Sequence, residues 1–175
     1  MKKIIGICCL ALSFFMTSCA TTMITRSVSQ DYADKLETKK TMDAITYVLS
    51  NNGFDVKTIN DTYGLITTEW RSLDNSLQNI GLTILTASRY SSTTYTDSLQ
   101  LTFNVKETGY TVVPKTMRTS STSNTWSNTS SNSAATYPAA DSTGGKLTTK
   151  VMKEINELLG IESDIKWEEK QITVE

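Results

Sequence analysis

The feature that most constrains the fold is an alternating stretch near the middle of the chain. Between residues 99 and 105 every second side chain is apolar: Leu99, Leu101, Phe103 and Val105. This period of two predicts a β-strand with one buried face and one exposed face. Thr108-Gly109 follows as a turn, and residues 110–118 return as a second strand. Together they predict an antiparallel hairpin.

The returning strand contains Pro114, which has no backbone N–H to donate to a sheet. Proline within sheets is confined to edge strands, strand starts and bulges. We therefore expect the strand at 110–118 to lie at an edge or to be bulged. An edge strand at Pro114 would be a place where a protein partner adds a strand of its own.

A second hairpin is predicted from residues 54–70. Phe54 and Val56 alternate with charged residues, and residues 60–64 have the composition of a turn. Residues 65–70 then alternate again as a second strand. Residues 82–88 are one more candidate strand, which brings the expected number to about five.

Two amphipathic helices bracket these strands. The first falls within residues 31–52 and has apolar residues at steps of three and four: Leu36, Met42, Ile45, Val48 and Leu49. The pattern leaves open whether residues 31–38 belong to it. The second covers residues 146–159, with a stripe of the same kind: Val151, Met152, Ile155, Leu158 and Leu159. Gly53 follows the first helix as a left-handed cap, and Gly160 ends the second.

These elements predict an α+β fold. Both helices and one face of the sheet have apolar surfaces that must be buried against each other. We expect a two-layer sandwich in which two helices pack on an antiparallel sheet of about five strands. The predicted single domain spans residues 31–160, between a tether at 19–30 and a charged tail at 161–175 that either adds a short strand or stays loose.

The first helix and hairpin resemble a repeat unit of BamC-like outer-membrane lipoproteins. In that unit a helix ends in Leu-x-x-x-Gly-Phe and is followed by a strand, a turn and Gly-x-apolar-x-Thr. The matching residues in this chain are Leu49, Gly53, Phe54, Gly64 and Thr67. The resemblance implies a similar order of elements over about 120 residues. This chain departs from the pattern because it has one such unit and a long Ser/Thr-rich segment.

The N-terminus has the composition of an export signal. Lys2 and Lys3 precede an apolar run at residues 4–16, which is too short to span a bilayer core that needs about 20 residues. A positive head and a short apolar run before small residues are typical of a secretory signal peptide. The signal is predicted to cover residues 1–18.

The end of this signal resembles a bacterial lipobox. Thr17 and Ser18 precede Cys19, and Met16 stands where the pattern usually has Leu. The resemblance implies that Cys19 is lipidated, becomes the new N-terminus and anchors the protein in membrane lipid. Residues 20–23, directly after Cys19, contain no Asp, and no acidic cluster follows them. In the lipoprotein pattern this implies the outer membrane and its periplasmic side. The alternative is an ordinary secretory signal in which Cys19 is incidental.

Composition excludes several kinds of chemistry. The chain has no His, and its three Cys residues are Cys8, Cys9 and Cys19, of which two leave with the signal. Ser-His-Asp triads, thiol catalysis and the common His- or Cys-based zinc sites are therefore excluded. Removal of residues 1–18 takes Lys2 and Lys3, which leaves 15 basic and 18 acidic residues. We expect no enzyme activity, no cofactor, no metal and no nucleic-acid partner.

The segment at 119–133 is dominated by Ser and Thr, which supply 11 of its 15 residues. Such a composition cannot form a core, so residues 119–143 are predicted to be a mobile loop or the tip of a polar extended hairpin. Trp126 is the large apolar residue within 119–133. Either it folds back onto the domain, or it is exposed as a partner-binding anchor, a position that Trp favours.

Two hypotheses about function remain. The first is an accessory module that binds an envelope protein through Trp126 or the Pro114 strand. The second is a carrier of a small ligand or lipid in an apolar pocket between sheet and helix. Four residues would line such a pocket, unless they simply fill the core: Phe54, Trp70, Leu101 and Phe103.

Overall fold

A computed structural model of the chain describes residues 21–73, 91–124 and 127–174. Four predictions concern residues outside these ranges and stay predictions: the signal peptide at 1–18, lipidation at Cys19, a strand at 82–88 and the role of Trp126.

Two helices and eight strands make up the described part of the chain. The helices are α1 (Thr38–Asn51) and α2 (Thr143–Leu159). The strands are β1 (Thr21–Asp31), β2 (Val56–Asn60), β3 (Leu65–Thr68), β4 (Arg71–Leu73), β5 (Ser91–Lys106), β6 (Gly109–Asn124), β7 (Asn128–Asn132) and β8 (Ile165–Val174).

The strands form one sheet in the order β2-β3-β5-β6-β1-β8, with β4 added to β5 and β7 added to β6. The predicted α+β class, with an antiparallel sheet and two helices, is confirmed. The predicted number of about five strands is wrong, because the sheet has eight. Two of the strands, β1 and β4, were not predicted. β7 and β8 lie in segments for which a strand was one of two predicted alternatives.

The chain forms two units. Residues 26–169 make the main unit, which contains both helices and the core. Among the described residues, the second unit consists of 21–25 and 170–174, which belong to β1 and β8. Within this second unit the hydroxyl of Thr25 donates to the carbonyl of Lys170 at 3.1 Å.

The core of the main unit lies on one face of the sheet. Two neighbouring rows of paired residues, Phe103–Val112 and Val105–Tyr110, have all four side chains buried. The residues between them on each strand point to the opposite face and are exposed or half-buried. Both helices bury their apolar stripes in the same cluster, so they form a layer over this face: Met42, Ile45, Val48, Leu49, Val151, Met152 and Ile155.

Both segments that flank the predicted domain contain a strand. The tether predicted at 19–30 includes most of β1, where Val28 and Gln30 are buried. The tail predicted at 161–175 contains β8, and Trp167 on that strand packs against the core. Main-chain pairing holds both strands, and a polar sequence can supply it as well as an apolar one.

The helix ends follow local chemistry. α1 begins at Thr38, so residues 31–37 are not part of it. α2 begins at Thr143, three residues before its predicted start, because the Ser142 hydroxyl caps it by accepting the N–H of Gly145 at 3.1 Å. Gly160 has φ of 70° at the end of α2, as its role in ending that helix requires.

The strand that contains Pro114 lies inside the sheet and keeps one continuous register with β5, so the prediction of an edge or bulged strand is wrong. β6 pairs with β5 along its whole length, and Pro114 is buried opposite Leu101. On its other side β6 pairs with β1 as far as Val112, and Thr116 donates its N–H to the carbonyl of Thr136. Alternate residues direct their N–H groups to the same side of a strand. Pro114 therefore falls between these two pairings, where neither partner requires a donor.

A buried polar network ties α2 to the sheet. The Tyr110 hydroxyl donates to Asn156 Oδ1 at 2.7 Å, and Asn156 Nδ2 donates to Gln30 Oε1 at 2.8 Å. The same Gln30 oxygen accepts the backbone N–H of Asp164 at 2.9 Å. Burial, and to a smaller extent the nearby Tyr32, raises the pKa of Tyr110 above its ordinary value. Each of these polar groups has a partner, which keeps their burial from being costly.

Candidate functional site

The β5–β6 hairpin continues past the core as an arm of hydroxyl-bearing residues. Residues 91–98 of β5 pair with 117–124 of β6, and β7 adds a third strand. We call these three segments the hydroxyl arm. Wherever its side chains are described they are exposed or half-buried. Of the two forms predicted for the Ser/Thr-rich segment, the extended hairpin is the one found in its described residues.

One face of the arm continues the face that the helices cover. The buried residue Leu99 lies two positions after Asp97 and four after Tyr95, so all three share a face. Across the strands, Tyr95 is opposite Ser120, and the Ser120 and Ser131 hydroxyls are 2.8 Å apart. Tyr95 is half exposed. This face therefore presents an aromatic ring beside paired hydroxyls.

A carboxylate–guanidinium pair lies next along the same face. Arg118 donates through Nε to Asp97 Oδ1 at 2.7 Å and through Nη2 to Asp97 Oδ2 at 2.9 Å. Its guanidinium carbon is 6.0 Å from the centre of the Tyr95 ring. The hydrogen bond and the charge of Asp97 raise the pKa of Arg118. The pair is half exposed and adds about 0–1 kcal/mol to stability at most. The pair therefore contributes little to the stability of the fold.

A cleft of about 550 Å³ opens between this pair and the start of α2. Apart from Asp97 and Arg118, no charged residue lines it among the described residues. Five hydroxyl-bearing residues contribute to its walls: Thr116, Ser133, Thr136, Ser142 and Thr143. We call this space the arm cleft.

The N-terminus of α2 forms one wall of the arm cleft. The first backbone N–H groups of a helix have no partner within the helix. Ser142 caps the N–H of Gly145, and the N–H groups of Thr143 and Gly144 come before it in the same turn. A Cβ on Gly144 would lie 3.0 Å from Thr116 Cγ2, so a larger residue there would press on the cleft wall. The start of α2 therefore lies close against the sheet at this wall.

Three of the four residues predicted to line an apolar pocket are packed in the core. Phe54, Leu101 and Phe103 are at most 2 % exposed and belong to the buried cluster. Trp70 is half-buried and lies outside that cluster. The guanidinium of Arg71 covers the Phe54 ring at 5.0 Å. A carrier function would require these packed side chains to separate from one another.

One edge of the hydroxyl arm has no strand beside it in the ranges that the structure describes. β7 pairs with β6 on one side only. Ser133, just after β7, donates its N–H to the carbonyl of Arg118. Because N–H groups alternate along a strand, the odd-numbered residues of β7 face β6 and the even-numbered ones face outward. The outward main-chain groups therefore belong to three residues: Asn128, Ser130 and Asn132.

The described residues contain neither a helix long and apolar enough to cross a bilayer nor a cluster of side chains able to hold a metal ion. Of the residues predicted to bind a partner, Pro114 is buried within the sheet, and Trp126 lies outside the described ranges.

Three residues of this site were missed from the sequence: Tyr95, Asp97 and Arg118. The signal that could have found them is the register of the hairpin. Lys106 pairs with Gly109, so each step away from the turn moves one residue along both strands. Counting outward in this way places Asp97 opposite Arg118 and Tyr95 opposite Ser120. The start of α2 gave no comparable signal.

Comparison of the sequence with models of protein families gives no match, and comparison with curated proteins gives none either.

Proposed function

We propose that this protein is a lipid-anchored envelope lipoprotein that binds another envelope protein and has no catalytic role. The export signal at 1–18 and the lipobox-like residues before Cys19 support an anchor in the outer membrane, facing the periplasm. A stable anchor requires more than one acyl chain, and bacterial lipoproteins resemble that case. The contact is made by β7, whose outer edge accepts an extended segment of the partner as an added strand.

The main-chain groups of β7 support this contact. Asn128, Ser130 and Asn132 each direct one N–H and one C=O outward, and all three side chains are exposed. Each hydrogen bond to a partner strand contributes about 0.5–1.5 kcal/mol net. A short edge of this kind gives a moderate affinity, which suits an accessory module that binds and releases.

β2 and β8, the strands at the two ends of the sheet order, are better protected than β7. Charged side chains on an edge strand discourage pairing with another chain. β2 carries Lys57, which is 3.7 Å from Glu69. β8 carries four charged residues: Lys166, Glu168, Glu169 and Lys170. β7 has none, since its sequence is NTSSN. This uncharged edge is the observation on which the proposal rests.

The test is crosslinking in cells from a photoreactive amino acid at Asn132. The chain is compared with two further variants, Ser130→Pro and Ser130→Ala. The proline removes one outward N–H while the pairing with β6 is kept, and the alanine removes only the hydroxyl. We expect one envelope protein to be captured through an extended segment, with Ser130→Ala unchanged and Ser130→Pro losing most of the adduct. An adduct that persists at equal yield in Ser130→Pro would contradict strand addition.

The anchor has its own test. Cells are labelled with a palmitate analogue, and the chain is compared with Cys19→Ser and Cys9→Ser. We expect the label to be lost from Cys19→Ser and kept in Cys9→Ser, because the predicted signal takes Cys9 with it. Labelling of the Cys19→Ser chain would show that the anchor is elsewhere.

A further inference from the structure

We propose that the arm cleft and the neighbouring ring of Tyr95, which lies just outside it, bind a neutral sugar chain. Tyr95 stacks on one sugar ring, and the Asp97–Arg118 pair bonds to hydroxyls of the chain. This goes beyond the proposed function, because it uses a different face of the arm and does not depend on strand addition at β7.

The charge of the cleft sets the class of ligand. Asp97 and Arg118 neutralise each other, and the rest of the described lining is uncharged. A phosphate or other strongly charged group would meet no net opposite charge there. An uncharged ligand with many hydroxyls avoids this mismatch and can use polar walls that a hydrocarbon ligand would leave unpaired.

The donors and acceptors of the cleft suit hydroxyl groups. Arg118 has five N–H groups and uses two on Asp97, so three remain without a partner among the described residues. The hydroxyls of Thr143 and Ser133, which line the cleft, can both donate and accept. A sugar hydroxyl also donates and accepts, so it can pair with each of these groups.

The ring of Tyr95 can contact the apolar face of a sugar. A pyranose ring has a face made of C–H groups as well as a rim of hydroxyls. Tyr95 is half exposed and precedes Asp97 by two residues on the same face, a separation of ~7 Å along a strand. An aromatic ring offers an apolar face with negative charge density, which suits such C–H groups. Tyr95 and the ion pair can therefore contact neighbouring parts of one saccharide.

The test is fluorescence polarisation of labelled neutral tetrasaccharides with the full chain in detergent micelles. The probes are the tetramers of N-acetylglucosamine, glucose and mannose. We expect one of them to bind and inorganic phosphate not to compete with it. If no tetrasaccharide binds, or if phosphate displaces the bound one, the proposal is overturned.

Variants locate the site. Arg118→Lys loses the two-point geometry and Tyr95→Ala loses the ring, so each should weaken binding about tenfold or more. Thr143→Trp, at an exposed helix start, should block the cleft while circular dichroism stays unchanged. The matched controls are Glu107→Gln, in the exposed ion pair with Lys35, and Tyr63→Ala, at an exposed turn. Equal binding by test and control variants would place the sugar elsewhere and overturn the assignment.

A competition experiment identifies the source of the sugar. Isolated peptidoglycan and lipopolysaccharide both carry pyranose chains, and each is used to compete with the labelled tetrasaccharide. Competition by either supports the cleft as a sugar site and names the envelope polymer. If neither competes with a tetrasaccharide that binds at Arg118, the sugar site stands and an envelope role for it is contradicted.

Discussion

The two halves of the β5–β6 hairpin share one register but are stabilised in different ways. Near the turn, Phe103 and Val112 face each other under the helices and are fully buried. Farther out, Tyr95 and Ser120 face each other in the same ladder and remain accessible to solvent. The backbone pairing is continuous across both halves, so burial and not pairing distinguishes them. The covered half holds the fold together, and the arm presents main-chain edges and hydroxyls.

The largest effect on stability should come from a substitution that creates a cavity in the covered half. Phe103→Ala removes a ring that is fully buried in the cluster shared by sheet and helices. We expect the free energy of unfolding to fall by about 3–5 kcal/mol, because the surrounding side chains cannot close the space fully. Denaturant unfolding measures it. Tyr95→Ala, on the same strand in the arm, is the matched control and should change stability by about 0.5 kcal/mol or less. Similar losses in both variants would show that the arm shares the core.

An intermediate effect is expected from the buried hydroxyl of Tyr110. Burial raises its pKa, so the folded chain keeps this proton at a pH where the unfolded chain, with a Tyr pKa of about 10, loses it. The free energy of unfolding is therefore unaffected by this group below about pH 9 and falls as the pH rises above 10. The slope from one such group is at most about 1.4 kcal/mol per pH unit.

Tyr110→Phe should remove this contribution and make the alkaline loss of stability shallower. It should also lower stability at neutral pH by about 1–2 kcal/mol, because Asn156 Oδ1 loses its donor. Denaturant unfolding at several pH values from 7 to 11.5 measures both effects. Tyr63→Phe is the control, since Tyr63 is 76 % exposed. An alkaline slope that is the same in Tyr110→Phe and the wild type would contradict this account.

The covered half could be predicted from the sequence because its buried side chains are apolar and recur at the period of a strand or a helix. The apolar alternation around Phe103 and the stripe around Ile45 each follow from having one face against the core. Gly160 could be assigned for a similar reason, since a left-handed helix end favours glycine. These signals gave the α+β class, both helices and both hairpins.

The arm could not be predicted in the same way. β7 is held by main-chain pairs and by hydroxyl contacts such as Ser120–Ser131, which leave no apolar period in the sequence. Pro114 was misplaced because its missing donor can lie between two pairings as well as at an edge. The arm cleft depends on where Pro138 and the start of α2 lie against β6, which is a tertiary arrangement. The pairing of Asp97 with Arg118, in contrast, could have been predicted by counting residues from the hairpin turn.

The smallest effect on stability should come from removing the hydroxyl pair of the arm. This variant tests whether the arm is held by its main-chain pairs. Ser120→Ala removes the 2.8 Å contact with Ser131 while the backbone pairs on either side of Ser120 are kept. Both side chains have access to water, so the lost contact is replaced by hydration. We expect a change in the free energy of unfolding within about 0.5 kcal/mol. Hydrogen exchange should still show the arm amides opening at a lower free energy than those of the covered half. A loss several times larger would mean that the hydroxyls, and not the main chain, hold the arm together.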